Sequence, residues 1–385
     1  MHGVDTAEEK KAYQKSKRFF EKSGSVDPSS SYYVPLENVV NSDNQEVKTM
    51  VEQGRYFSMF APRQSGKTTF LKKMRKKLHE DSTYICILLS FQHYRDLDKA
   101  EFYELLESEL YTQLKARLRE VRCKKARIIN RFLKGHRLTD HIALSELFEE
   151  LNRIIEFKKL VLLIDEFDSI PAGELTDFLA TLRDLYLEYK EVKQKALYSV
   201  GLAGVRDITK SNVNGVSPYN ISDRIDWPYF SLQNVRDLYS QYTEETNQPF
   251  TEAAVKKVYE ETSGQPWLVN RLGTLLTVNI KPATIEPIDE NDVDKAINAL
   301  LREKSNHFDN LYEKAKNHKE IFVEIALGRV VYMPYDECQN WLEQHGLIEK
   351  KNGHAVVANI IYRTRFLKTF LENVTGLNSF YNRYR

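Results

Sequence analysis

The sequence has 385 residues, of which 42% are hydrophobic and 29% are charged. This composition is that of a folded globular protein, and the length predicts two or three domains. The formal net charge of +1 excludes a global attraction to nucleic acid or membranes and leaves only local patches for such contacts. The absence of any run of 18 apolar residues argues against a membrane-spanning helix. Three widely spaced cysteines are typical of reduced thiols in a cytoplasmic protein.

The chain is predicted to begin with an N-terminal arm over residues 1–30. Residues 1–22 are charged and lack the apolar core of a signal peptide, so no signal peptide is expected. They are predicted to form a charged helix, followed by a turn-rich segment. A short helix is then expected near 44–53. The first strand of a sheet follows at about 55–61, and a helix at about 67–79.

The most informative segment joins that strand to that helix and reads APRQSGKTT. A strand, a tight loop ending in Gly-Lys-Thr and a helix are the context of a phosphate-binding loop. Gly66 lets the backbone approach phosphate oxygens, Lys67 reaches the β- and γ-phosphates, and the Thr68 hydroxyl is suited to bind Mg²⁺. A small residue, Ala61, replaces the first consensus glycine. The residues predicted to bind ATP are Ala61, Pro62, Arg63, Gln64, Ser65, Gly66, Lys67, Thr68 and Thr69.

A second motif follows a predicted strand at 84–91 and a helical insertion at about 98–155. The apolar run LVLLI at 160–164 ends in Asp165 and Glu166, which predicts a strand buried on both faces of a parallel sheet. Its carboxylates then lie at the strand end where open α/β sheets bind ligands. Asp165 is predicted to hold Mg²⁺, and Glu166 to activate water as a general base. Asp168 is predicted either to assist the metal or to cap the next element.

The remaining elements predict the architecture. A helix at about 173–190 and a strand at 196–203 continue the alternation of strands and helices, which is typical of a parallel α/β sheet. From about 231 the pattern is helical, until Asn-Gly between short alternating runs predicts a hairpin within 347–357. Helices followed by such a hairpin suggest a winged helix. The predicted domains are the arm, a P-loop NTPase core at 31–230, a helical lid at 231–305 and a winged-helix-like domain at 306–385.

Several segments together resemble bacterial AAA-like P-loop ATPases, in the STAND and origin-recognition branch of AAA+ proteins. They are GSVDP at 24–28, YVPL at 33–36, the phosphate loop, IDEFDS at 164–169, GVRD at 204–207, SPYNI at 217–221 and GQPWLVN at 264–270. The resemblance implies an ATPase core, a helical lid and a C-terminal winged-helix-like domain.

The resemblance also implies roles for individual residues. Pro266 would lie against the adenine or sugar of ATP. Arg206 and Arg224, and at similar odds Arg271, are candidates to sense the γ-phosphate, although each is equally consistent with a structural ion pair. AAA+ cores usually place a polar residue near the end of the fourth strand, where this chain has Leu-Ala-Gly at 202–204. This difference favours a slow switch over a motor.

A basic segment at 115–137 contains ten Lys or Arg and a single acidic residue, Glu120. On a helix its interleaved apolar residues would give one apolar side and one basic side. That basic side could meet the phosphate backbone of DNA, as could the predicted wing with Lys350, Lys351 and His354. The alternatives are a solvated face, or an insertion that packs on the core or mediates oligomerisation.

These observations predict an enzyme that binds ATP with Mg²⁺ and hydrolyses it slowly. Its nucleotide state would control the lid, the winged helix, and the engagement of DNA or a protein partner. A homo-oligomer, whose neighbouring subunit completes the site, is also open. One alternative is a non-hydrolysing ATP-gated adapter or DNA-binding regulatory module. A small-molecule kinase is disfavoured by the acidic pair, the lid motif and the predicted winged helix.

Overall fold

The structure is a computed structural model that describes residues 12–155, 158–192, 197–205 and 221–372. The chain divides into two compact units. The first unit, called the sheet unit below, is Asn38–Pro228. The second, called the helical unit, combines Met1–Glu37 with Tyr229–Arg385. No helix of the described residues is long and apolar enough to cross a lipid bilayer.

The sheet unit is built on a six-stranded sheet. Its strands are β1 (Val40–Asn41), β2 (Tyr56–Phe60), β3 (Tyr84–Ser90), β4 (Lys159–Asp165), β5 (Ser199–Gly204) and β6 (Ser222–Asp226). Their order across the sheet is β1-β6-β2-β5-β4-β3. All neighbours pair in parallel except the edge strand β1, which pairs antiparallel with β6. The predicted α/β fold with a mostly parallel sheet is therefore confirmed.

Strand β4 is buried and has a neighbouring strand on each side. The apolar run at 160–164 is buried throughout and lies between β3 and β5. A strand with two neighbours and no polar face has no solvent-exposed side, so its sequence is continuously apolar. The first polar residue of the run, Asp165, consequently marks the edge of the sheet.

The described residues of the sheet unit form six α-helices. They are α1 (Val47–Glu52), α2 (Lys67–His79), α3 (Lys99–Glu120), α4 (Ala126–Gly135), α5 (His141–Ile154) and α6 (Leu175–Val192). The prediction that 115–137 forms one amphipathic helix is wrong, because α3 ends at Glu120 and α4 begins six residues later. Arg122 between them has a φ of 48°, which a continuous right-handed helix does not allow.

In the helical unit, the described part of the chain forms eight further α-helices and a hairpin. They are α7 (Leu232–Thr246), α8 (Glu252–Thr262), α9 (Pro266–Thr274), α10 (Glu290–Arg302), α11 (Asn306–Lys316), α12 (Lys319–Ala326), α13 (Glu337–Gln344), β7 (Ile348–Lys351), β8 (His354–Val357) and α14 (Ile360–Glu372). A π-helical turn, Leu275–Ile280, extends α9. The predicted hairpin is confirmed, with Asn352 and Gly353 at φ values of 50° and 81° between antiparallel strands.

The N-terminal segment differs from its prediction. Its described part, 12–22, is irregular and contains no helix. Its backbone bonds to other parts of the helical unit instead of to itself: the Gln14 amide donates to the Thr246 carbonyl at 2.9 Å, and Phe20 is buried in that unit's core. The chain up to Glu37 also groups with the helical unit, whereas the sequence placed 31–37 with the ATPase core.

Candidate functional site

The loop between β2 and α2 has the backbone of an anion-binding turn. Gln64 and Gly66 have φ values of 58° and 96°, so the chain curls tightly before α2 begins at Lys67. Glycine adopts this conformation without a steric cost. The Phe70 amide donates to the Gly66 carbonyl at 3.0 Å, which closes the first helical turn. The earlier helix amides then have no helical acceptors, and they face the loop with the positive end of the helix dipole.

Lys67 lies folded back on this loop. Its ammonium donates to the carbonyls of Ala61 and Pro62 at 2.6 and 2.8 Å. Burial lowers the pKa of Lys67 to about 8, although the nearby carboxylates of Asp165 and Glu166 oppose that effect. The ammonium is therefore still mostly charged at neutral pH. It is held by neutral carbonyls that an anionic ligand can replace.

Thr68 and Asp165 meet across the sheet edge. The Thr68 hydroxyl donates to a carboxylate oxygen of Asp165 at 2.5 Å, although 97 residues separate them in sequence. Asp165 ends β4 and is almost fully buried. A hydroxyl and a carboxylate are the hard oxygen donors that Mg²⁺ prefers. In the described part of the chain, no cluster of three or more His, Cys, Asp or Glu could hold a metal alone. This pair therefore fits a cation that takes its other ligands from phosphate and water.

Glu166 lies on the turn that leaves β4. Its backbone is left-handed, with a φ of 54°, and its amide donates to the Asp165 carboxylate at 3.0 Å. Burial raises the pKa of Glu166, and repulsion from Asp165 raises it further. A carboxyl group with a raised pKa is a stronger base when ionised, which suits a general base. A strained non-glycine backbone at such a position is a feature of functional sites.

The Asp168 carboxylate holds the backbone at the end of β5, and its charge also acts on Lys67 and Glu166. Its carboxylate accepts the Val205 amide at 3.0 Å, just after β5. It is buried, and it packs so closely on Gly204 that a Cβ there would lie 2.6 Å from Oδ1. Asp168 thus links the turn after β4 to the end of β5. Its predicted role beside the metal stays a prediction.

Trp227 is a site residue that sequence reasoning missed. Its indole N–H donates to the Ser65 carbonyl inside the phosphate loop at 3.0 Å. Its ring also meets the Phe70 ring edge to face, with centroids 5.4 Å apart. A single tryptophan just after a strand belongs to no motif, so no sequence signal could have linked it to a loop 162 residues earlier.

The remaining predicted residues are more dispersed. Arg63 is exposed on the loop, and Arg224 is exposed on β6, opposite Ser58 in the register. Arg206 lies outside the described residues. Pro266 and Arg271 belong to the helical unit, where Pro266 is buried as the first residue of α9.

Arg271 is held by an ion pair. Its guanidinium contacts the Glu303 carboxylate at 2.7 Å, with both side chains mostly buried. This arrangement supports the structural reading of Arg271 that the sequence left open.

The chain resembles the Walker-type ATPase PABY2304 of Pyrococcus abyssi, with 13% identity, 83% of this chain and 93% of that chain covered, and a TM-score of 0.56. Two other solved structures have TM-scores too low to carry an argument. They are the Thermotoga maritima RuvB Holliday junction branch migration motor (12% identity, 83% and 90% covered, 0.41) and Cdc6p from Pyrobaculum aerophilum (12%, 90% and 98%, 0.42).

The likeness to the Walker-type ATPase shows a shared fold. No curated protein sequence matches the chain. A family model described as an AAA-like domain matches residues 21–368, which is most of the sequence. The chain therefore belongs to the AAA-like domain family.

Proposed function

We propose that this protein is an ATP-binding molecular switch that hydrolyses ATP slowly with Mg²⁺. The observation that carries the proposal is the contact between Thr68 and Asp165, which brings two distant motifs together beside Lys67. Membership of the AAA-like family and the fold shared with a Walker-type ATPase support it. We further propose that nucleotide state sets the position of a lid at 231–305 and a winged-helix-like domain at 306–385.

The chemistry follows from the positions of four side chains. Lys67 exchanges its carbonyl partners for the β- and γ-phosphates of ATP. Thr68 and Asp165 would hold Mg²⁺, which would neutralise charge on the phosphate oxygens. Glu166 orients the attacking water and accepts its proton. Lys67 must leave the carbonyls of its own loop before it can contact phosphate.

Slow turnover is proposed for a structural reason. The end of β5 offers only Leu202, Ala203 and Gly204. None of these side chains can hydrogen-bond to water beside the γ-phosphate. We therefore assign the intact carboxylate pair to hydrolysis and the apolar strand end to its low rate.

The proposal is tested by phosphate release from ATP, together with the ATP-dependent rise in melting temperature. We expect slow release and a clear rise for the wild type, and neither for Lys67→Ala. Release in Lys67→Ala at the wild-type rate would contradict the proposal. A rise in melting temperature without phosphate release would instead favour the non-hydrolysing ATP-gated adapter.

A second candidate function, DNA engagement, has one observation in its favour. Helix α4 and the turn before it carry an exposed basic stripe, defined as Lys124, Arg127, Arg131 and Lys134. The residues 121–137 include no acidic residue, and none of the four cations pairs with the described part of the chain. A spacing of three or four residues places them on one helix face.

Arg117 is not part of this surface. It is buried, and its guanidinium donates to the carbonyls of His79 and Tyr84 at 3.0 and 3.2 Å. It therefore joins α3 to the neighbouring β3 and α2. One of the cations that predicted a DNA contact is thus a structural residue.

DNA engagement is tested by anisotropy titrations of a labelled duplex at several salt concentrations. The Arg127→Ala/Arg131→Ala variant should weaken binding and reduce the slope of log K against log salt by about two. The matched control is Arg236→Ala/Lys256→Ala, which removes two exposed cations that already pair with Glu252 and Glu260. An unchanged slope in the first variant would show that the stripe is only a solvated face.

A further inference from the structure

The indole of Trp227 contacts the phosphate loop at one specific peptide group. It donates to the carbonyl of Ser65, a residue with no solvent-exposed surface. The edge-to-face contact with Phe70, on the first turn of α2, fixes the plane of the indole. The donor is therefore held by a ring contact as well as by its hydrogen bond.

This hydrogen bond determines the direction of a second group. The described residues contain no cis peptide bond, and in a trans peptide the C=O and the following N–H point in opposite directions. An indole that holds the Ser65 carbonyl therefore turns the Gly66 N–H away from Trp227. Gly66, at a φ of 96°, has the conformational freedom to rotate this peptide if the carbonyl were released.

Two other carbonyls of the loop are held differently. Those of Ala61 and Pro62 accept from Lys67, and that of Pro62 also accepts from the Ser65 hydroxyl at 2.8 Å. When Lys67 moves to an anion, it leaves these carbonyls. The Ser65 carbonyl keeps its partner, because the indole is neutral and does not compete for phosphate.

We propose that Trp227 is a positioning residue that keeps the Ser65–Gly66 peptide oriented so that the Gly66 amide donates to a bound phosphate. The inference rests on the proposed nucleotide binding and deepens it. A flipped peptide would remove this donor and present a carbonyl oxygen to the anion, so both changes weaken binding. The effect is specific to phosphate, because the peptide contacts no other part of a nucleotide in this scheme.

The experiment measures the affinities of ADP and inorganic pyrophosphate by calorimetry in three proteins. Trp227→Phe keeps an aromatic ring beside Phe70 but removes the donor. Trp341→Phe is the matched control, since its buried indole N–H has no hydrogen-bond partner among the described residues. We expect Trp227→Phe to weaken both ligands by the same factor, about tenfold, and Trp341→Phe to change neither.

Each outcome decides a different point. Unchanged pyrophosphate affinity in Trp227→Phe overturns the inference and leaves the proposed function standing. Weakened ADP with unchanged pyrophosphate also overturns it, because Trp227 would then contact the nucleoside. A wild-type protein that binds neither ligand overturns both proposals. If Trp227→Phe does not fold, Phe70→Leu replaces it; this variant loosens the indole, and both affinities should fall by at least about twofold.

Discussion

The ends of β4 and β5 are neighbours in the sheet, yet they do different work. β4 ends in Asp165 and continues into Glu166, so its end carries ionisable oxygens. β5 ends in Gly204, whose carbonyl accepts the Ala61 amide at 3.1 Å, and the next amide, of Val205, donates to Asp168. One strand end therefore carries the carboxylates to which we assign the chemistry, while the other connects the phosphate loop to the carboxylate turn through its backbone.

The last residue of β5, Gly204, has no room for a larger side chain. The space beside Gly204 is filled by the Asp168 carboxylate, which comes from the turn after β4. The polar group at this position is thus committed to a structural hydrogen bond. This arrangement is the basis of the slow turnover that we propose.

The largest expected effect concerns Glu166, which follows β4. Glu166→Gln keeps the size of the side chain and removes its basicity. Phosphate release should fall by at least about a hundredfold, while the ATP-dependent rise in melting temperature persists. Full activity in this variant would remove Glu166 as the general base and leave β4 with a metal-binding role only.

The pH dependence of ATP binding should follow the ionisation of Lys67. Phosphate stabilises the charged form of Lys67, whose pKa burial lowers to about 8 in the free protein. Free Lys67 deprotonates above this pH, so ATP affinity should be constant below pH 8 and fall about tenfold per unit above it. The measurement is a calorimetric titration at each pH.

Protein stability should change with pH in the opposite direction to ATP affinity. Between pH 8 and the ordinary pKa of a lysine, the folded, ligand-free protein binds fewer protons at Lys67 than the unfolded chain does. Lys67 therefore costs less stability as the pH rises through that range.

Lys67→Arg is the control for ATP binding, because its guanidinium stays charged, and any affinity that it retains should not fall above pH 8. A wild-type affinity that stays level through that range would contradict the proposed contact between Lys67 and phosphate.

Local patterns predicted the fold well, because they reflect local physical constraints. The run at 160–164 is apolar because β4 is buried on both sides, and Asn352-Gly353 has the backbone freedom that a tight hairpin requires. The same applies to the phosphate loop, where Gly66 and Lys67 are needed at fixed spacing.

Contacts between distant segments could not be predicted in this way. Trp227 at Ser65 and Asp168 at Val205 depend on which strands become neighbours in the sheet. Arg117 looked like a surface cation because its sequence neighbours are basic, whereas its partners are backbone carbonyls on other elements. The N-terminal segment was predicted to be helical. Its charge pattern gives no indication that its backbone bonds to another part of the helical unit.

A double-mutant cycle tests the contact between Asp168 and the end of β5. Asp168→Ala should lower the free energy of unfolding by about 1–3 kcal/mol, because it leaves the buried Val205 amide without its acceptor. Gly204→Ala should also destabilise the protein, because the new Cβ meets Asp168 Oδ1. In the Asp168→Ala background that clash is absent, so the two costs should not add. Urea denaturation measures all four proteins, and strict additivity would show that Asp168 does not fill the space at Gly204.

The smallest expected effect concerns the start of β5. Ser199 is fully buried, and its hydroxyl donates to the Arg55 carbonyl at 2.7 Å, at the end of the sheet opposite to the phosphate loop. Ser199→Ala should cost about 1 kcal/mol in the free energy of unfolding and leave phosphate release unchanged. Denaturation and release assays on the same preparation separate the two quantities. Lost turnover with unchanged stability would assign β5 a part in the chemistry, and the contrast with β4 would then fail.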